Sequence, residues 1–193
     1  MMKISAFGAA VALVLSATPA LAHVGHHPTG GFLAGLAHPI LGIDHVLAMV
    51  AVGLWAGLVG GRASLAWPAA FLAAMTASAL AGMAGPVIPW TEAAIAGSVA
   101  ALGLAVALRL AAPAILGAVL CGAFAAAHGY AHGTELPLGA SAGLYVGGFL
   151  VATAALHALG VALGRALGRD APAWATRGAG GAVALAGVAL LVG

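Results

Sequence analysis

Few charges and long apolar runs constrain this chain more than any other feature. Six apolar stretches, approximately 39–60, 64–83, 93–109, 112–132, 138–164 and 173–193, are separated only by short breaks at charges, prolines and glycines. Each is near the ~20 residues an α-helix needs to cross ~30 Å of hydrocarbon. Only 5% of the 193 residues are charged and 64% are hydrophobic, against roughly a quarter charged in an ordinary soluble domain. Six basic and four acidic residues cannot solvate a globule of this size, so lipid must be the solvent for most of its surface. No stretch alternates apolar and polar residues with period two, which argues against a membrane β-barrel. The thirty glycines suit helices whose backbones approach closely in a bilayer. The expected fold class is all-α: a polytopic membrane helix bundle of about six transmembrane helices.

The N-terminus reads as a processing signal. Lys3 supplies a positive n-region, Ile4 to Leu15 a short apolar core, and Ala20-Leu21-Ala22 an A-x-A cleavage site. Residues 1–22 are therefore expected to be a signal peptide and 23–193 a single transmembrane domain. An N-terminus outside makes the connections alternate in, out, in, out, in. Arg62, Arg109, Arg165, Arg169 and Arg177 then all fall on the cytoplasmic side, as the positive-inside rule requires. Both termini of the mature chain would be periplasmic, in a bacterial inner membrane. The net charge of +2 follows from this topology, and no basic patch suggests nucleic acid. The start of the first helix is the least defined boundary, because Gly30 to Ala37 is apolar as well. One straight helix from Gly30 to Gly61 would be about 48 Å long, so a helix starting at Pro39, a favoured first position, is expected, with the preceding segment at the interface.

Polar residues are scarce enough to be informative. His38, Asp44 and His45 lie near the outer end of the first expected span, in His38-Pro39-Ile40-Leu41-Gly42-Ile43-Asp44-His45. On a regular helix His38 and His45 project to similar sides, and Asp44 points about 100° away from His45. His128, His132 and Glu135 lie at the outer end of the fourth span and share one helical face. Two distant motifs thus reach the same depth on the same side. Imidazole with one or two carboxylates suits zinc, nickel, copper or iron. An ionised carboxylate placed towards the bilayer costs about 2.5–3.5 kcal/mol on insertion scales, which a divalent cation or a histidinium offsets. Such a site should lose metal as external pH falls below about 6.5, because protonated imidazole has no lone pair to offer. His23, His26 and His27 at the mature N-terminus are candidates for metal capture, and His157, deeper in the fifth span, for an exit ligand. Cys121, Met49 and Met75 read as packing residues. A lone cysteine excludes an intramolecular disulfide and a Cys-rich metal site.

Taken together, His38-Pro39-x-x-Gly42-x-Asp44-His45 and His128-Gly129-x-Ala131-His132-Gly133-x-Glu135 resemble the hydrogenase/urease accessory nickel permease family (HupE/UreJ-like). The likeness extends to the signal peptide, helix number and motif order. It implies transport of Ni²⁺, or Co²⁺ in some members, with His38, Asp44, His45, His128, His132 and Glu135 as the functional positions. It also implies a divalent metal as substrate, with no permanently bound cofactor. No nucleotide-binding motif is present, so ATP is not expected to drive this chain. Two other classes fit the same residues. Asp44, His128 and His132 can hold a catalytic Zn²⁺ in an intramembrane hydrolase, or the chain can be a non-conducting subunit that hands metal to a maturation machine. Small-residue helix faces are compatible with a monomer or a dimer.

Overall fold

In lipid the backbone must satisfy its own hydrogen bonds, and a single helix is the only local structure that does so. A computed structural model describes residues 31–134 and 142–193, and among these every regular element is helical. The helices are α1 (Phe32–Leu41), α2 (Ile43–Val59), α3 (Ala63–Gly82), α4 (Thr91–Ala107), α5 (Ala114–Thr134), α6 (Ala142–Asp170) and α7 (Ala173–Val192). Helices α3, α5, α6 and α7 are each long and apolar enough to cross a membrane. The pair α1 and α2 forms a broken span or re-entrant segment bent by 83°, and α4 is apolar but shorter, at 17 residues. The expected helical membrane bundle is therefore present, and among the described residues four helices, or five spans if the bent pair counts as one, pass on length and composition. The expected signal peptide and the capture candidates His23, His26 and His27 lie outside the described residues, as does Glu135.

Two boundaries within the described residues differ from expectation by several residues, for physical reasons. The first long helix starts at Ile43, not Pro39, because the chain leaves helical geometry at Gly42 (φ −87°, ψ 113°), and Pro39 sits inside α1 instead. What holds α1 at this angle is its docking on α6. A Cβ at Gly35 would strike the Tyr145 carbonyl oxygen, and one at Gly148 would strike that of Phe32. At the other end, α6 continues through Arg165 and Arg169 to Asp170 rather than stopping at 164. Arginines mark where hydrocarbon ends, and a helix is free to extend past that level into water.

The helices pack chiefly in pairs, α3 with α5, α4 with α7, and α2 with α6, which also carries α1. Helix α2 is the centre of the bundle, buried continuously from Ala51 to Gly57. Its contact with α6 is glycine on glycine. Gly53-x-x-x-Gly57 faces Gly160-x-x-x-Gly164, and a Cβ built on Gly53 or Gly160 would lie 2.9 Å from the other's Cα. Outward faces carry large apolar side chains such as Leu33, Leu65, Ile115 and Leu185, all at least 70% exposed, as a lipid-facing surface requires.

The two ends of the bundle are chemically distinct. Trp55 Nε1 donates to the Leu110 carbonyl (2.8 Å), Trp67 Nε1 donates to that of Ala114 (2.8 Å), and a Cβ on Gly57 would lie 3.1 Å from Arg165 N. These contacts bring Arg62, Arg109 and Arg165 to one end, where all three arginines are exposed. Arg109 ends α4 in the left-handed region (φ 50°), with Leu110 N bonded back to Ala105 O at 3.0 Å. That is a Schellman-type cap with arginine where glycine is usual. The histidines His38, His45, His128 and His132 occupy the opposite end.

Candidate metal centre

The centre begins with the break at Gly42. Because α2 starts there, Asp44 sits in its first turn, where a carboxylate meets the positive end of the helix dipole. Its Oδ1 accepts the His45 backbone N–H at 2.9 Å and the His45 ring Nδ1–H at 2.6 Å. Asp44 is thus folded onto His45, not turned about 100° from it; the first-turn geometry and this double hydrogen bond override the regular-helix expectation. The carboxylate also fixes the imidazole. With Nδ1 donating, the His45 lone pair is on Nε2, which is buried and without a hydrogen-bond partner.

His128, fully buried on α5, is oriented in the same way by a different group. The Ser98 hydroxyl donates its hydrogen to the Ile95 carbonyl (2.7 Å), so its oxygen accepts from His128 Nε2–H (3.0 Å). The lone pair is left on Nδ1, again buried and without a partner. A ligating histidine characteristically donates its other N–H to a carboxylate, carbonyl or similar acceptor, which sets its tautomer and direction. Ser98 carries out that task here and was missed by sequence reasoning. Its only signal is a single hydroxyl in the otherwise apolar run from Ala93 to Ala107.

Four imidazoles from two motifs meet at this point. The His45 ring centroid lies 4.3 Å from that of His132, 5.3 Å from His128 and 6.2 Å from His38. His38 Nε2 and His132 Nδ1 share a hydrogen bond of 3.1 Å. The bend at Gly42 is what allows this, since it puts His38 on α1 and His45 on α2 on two sides of His132. Phe149 and Tyr145 of α6 close the cluster, with Phe149 4.5 Å from His132 and Tyr145 5.8 Å from His38. A cavity of about 50 Å³ opens beside His132, walled by Met75, Ala79, Met83, Tyr145 and Phe149, room for a few waters at most. Among the described residues no three His, Cys, Asp or Glu side chains are arranged as a ready coordination shell. The imidazoles are bonded to one another and to Asp44, so an ion would have to displace the His38–His132 bond to reach both.

The remaining sequence candidates separate from this group. His157 is on α6 at a deeper level and outside the cluster, 5.0 Å from the ring of Phe71, which itself lies 5.6 Å from His128. Cys121, Met49 and Met75 are fully buried members of the apolar core, as packing residues should be.

Comparison with known proteins places the whole chain in one context. The family described as HupE / UreJ protein matches residues 11–190. Protein HupE of Rhizobium leguminosarum bv. viciae is 47% identical over 192 residues, covering 100% of both chains. No solved structure matches the chain.

Proposed function

The chain belongs to the HupE/UreJ family, and from that premise we propose that it is a permease carrying Ni²⁺, or Co²⁺, from periplasm to cytoplasm across the bacterial inner membrane. The observation that carries this reading is the meeting of His38, Asp44, His45, His128 and His132, with the His45 Nε2 and His128 Nδ1 lone pairs buried and pre-oriented. Imidazole is a good ligand for both metals, and they hold adjacent places in the affinity order. The cluster is the outer receiving site, where a hydrated cation exchanges part of its water shell for imidazole nitrogen. The Asp44 charge compensates part of the cation's cost of leaving water. Incomplete, self-bonded coordination favours a cargo ion over a resident one, since transport needs binding that can be undone. Glu135, immediately after α5, is a further candidate ligand.

The arginine-bearing end faces the cytoplasm in this reading, after removal of residues 1–22. A membrane potential negative inside then drives uptake by about 2.3 kcal/mol per charge per 100 mV, with no nucleotide hydrolysed. The chain acts as a transporter and performs no covalent chemistry. The test is radiolabelled Ni²⁺ uptake in cells lacking their own nickel importers, comparing wild type with His45→Ala and His132→Ala at matched expression. Saturable uptake lost in both variants supports the permease and its receiving site. Uptake no greater than empty vector, with correct membrane insertion, overturns it and favours a zinc hydrolase or a delivery subunit.

A further inference from the structure

Below the cluster, α6 carries two buried polar groups that the receiving site does not use. His157 is 1% exposed, and its Nδ1–H donates to the Thr153 carbonyl at 2.9 Å. A carbonyl only accepts, so the lone pair of this imidazole is on Nε2, which is buried and has no hydrogen-bond partner. Thr153, one turn earlier on the same face, is fully buried, and its hydroxyl also has no partner. Among the described residues only Thr176 shares this state, whereas the hydroxyls of Thr76, Ser78 and Thr134 all bond back to carbonyls of their own helices, at 2.8, 3.2 and 2.8 Å. A purely structural histidine would be expected to find a partner for both nitrogens.

The position of the pair matters as much as its chemistry. The Phe71 ring is 5.0 Å from that of His157 and 5.6 Å from that of His128, so a single aromatic side chain touches both the receiving site and this pair. On α2 the level of His157 is that of Gly53, whose missing side chain lets the His157 backbone approach. Gly53 is eight residues beyond His45, about 12 Å further along the helix towards the arginine end. The tautomer of His157 is set by a backbone carbonyl just as Asp44 and Ser98 set those of His45 and His128.

We propose that His157 Nε2 and the Thr153 hydroxyl form a second, inner station at which the partly hydrated divalent cation rests after leaving the histidine cluster. This rests on the permease reading above. One imidazole, one hydroxyl and retained waters make a weak site, and a weak inner site allows the ion to move on.

His157→Asn separates the two roles of the residue, because its amide N–H can still reach the Thr153 carbonyl while no imidazole lone pair remains. Purified protein in detergent is titrated with Co²⁺ and followed by ligand-field absorption, and Ni²⁺ uptake is measured in cells. Wild type should show a second, weaker cobalt step that His157→Asn lacks. The variant's maximal uptake rate should fall about tenfold, with half-saturation unchanged. Thr153→Val, near-isosteric, should weaken the same step, and it decides on the same two readouts if His157→Asn does not fold. An unchanged cobalt titration overturns the station, even if uptake falls. Normal wild-type uptake matched by His157→Asn overturns the station alone, whereas no uptake by wild type overturns the permease reading and the station with it.

Discussion

In the histidine cluster, His45 and His128 each take their direction from a small neighbouring acceptor, Asp44 and Ser98, and those neighbours are where single substitutions should be most telling. Asp44→Asn keeps an oxygen for His45 but removes the charge. Loss of such a supporting group typically costs 10–100-fold in metal affinity, so half-saturating Ni²⁺ should rise by about that factor while thermal stability stays near wild type. Ser98→Ala leaves His128 Nε2–H buried without its acceptor. It should lower stability by about 1–3 kcal/mol, read as a reduced melting temperature in detergent. Gly42→Ala is compatible with the local backbone, yet its Cβ would lie 2.9 Å from His45 Nδ1 and 3.0 Å from Asp44 Oδ1. Side chains can yield where backbone cannot, so we expect a folded protein with weakened Ni²⁺ uptake. The residues of the candidate site and their grouping were legible in the sequence, because histidine and aspartate are rare among apolar residues. The Asp44–His45 pairing was not, since it depends on a helix starting at Ile43.

At the scale of elements, glycines divide into those that touch another helix and those that face outward. Gly57→Ala would drive a Cβ into the Val161 carbonyl oxygen, and Gly160→Ala into that of Val50. Neither backbone can move without separating α2 from α6, so each should destabilise by about 1–3 kcal/mol. Gly97→Ala and Gly178→Ala meet nothing within 4 Å and should be neutral, or stabilising by up to about 1 kcal/mol, from helix propensity alone. Thermal unfolding of the four variants checks both halves of this prediction. Hydropathy located α3 and α7 to within a residue at each end, because lipid sets their lengths. It misplaced the start of α2 and the end of α6, because docking of α1 and an extension beyond hydrocarbon decide those boundaries.

For the whole molecule, the separation of arginines from histidines between opposite ends predicts orientation in the membrane. Val87, 80% exposed in the α3–α4 connection, should be outside, and Arg169 inside. A cysteine at Val87→Cys should react with a membrane-impermeant maleimide in intact cells. One at Arg169→Cys should react only after permeabilisation, with buried Cys121 silent in both. The reverse pattern would invert the direction of transport.

Sequence alone determined that the chain is a helical membrane bundle, which end carries the positive charge, and which rare residues gather near the other end. Those properties follow from local free energies of transfer, which each residue carries with it. The tertiary structure decided the 83° bend, the interleaving of His38, His132 and His45, the orienting role of Ser98, and the contact of Phe71 with both His128 and His157. These depend on which backbones glycine allows to approach, a property of pairs of helices that no single stretch of sequence contains.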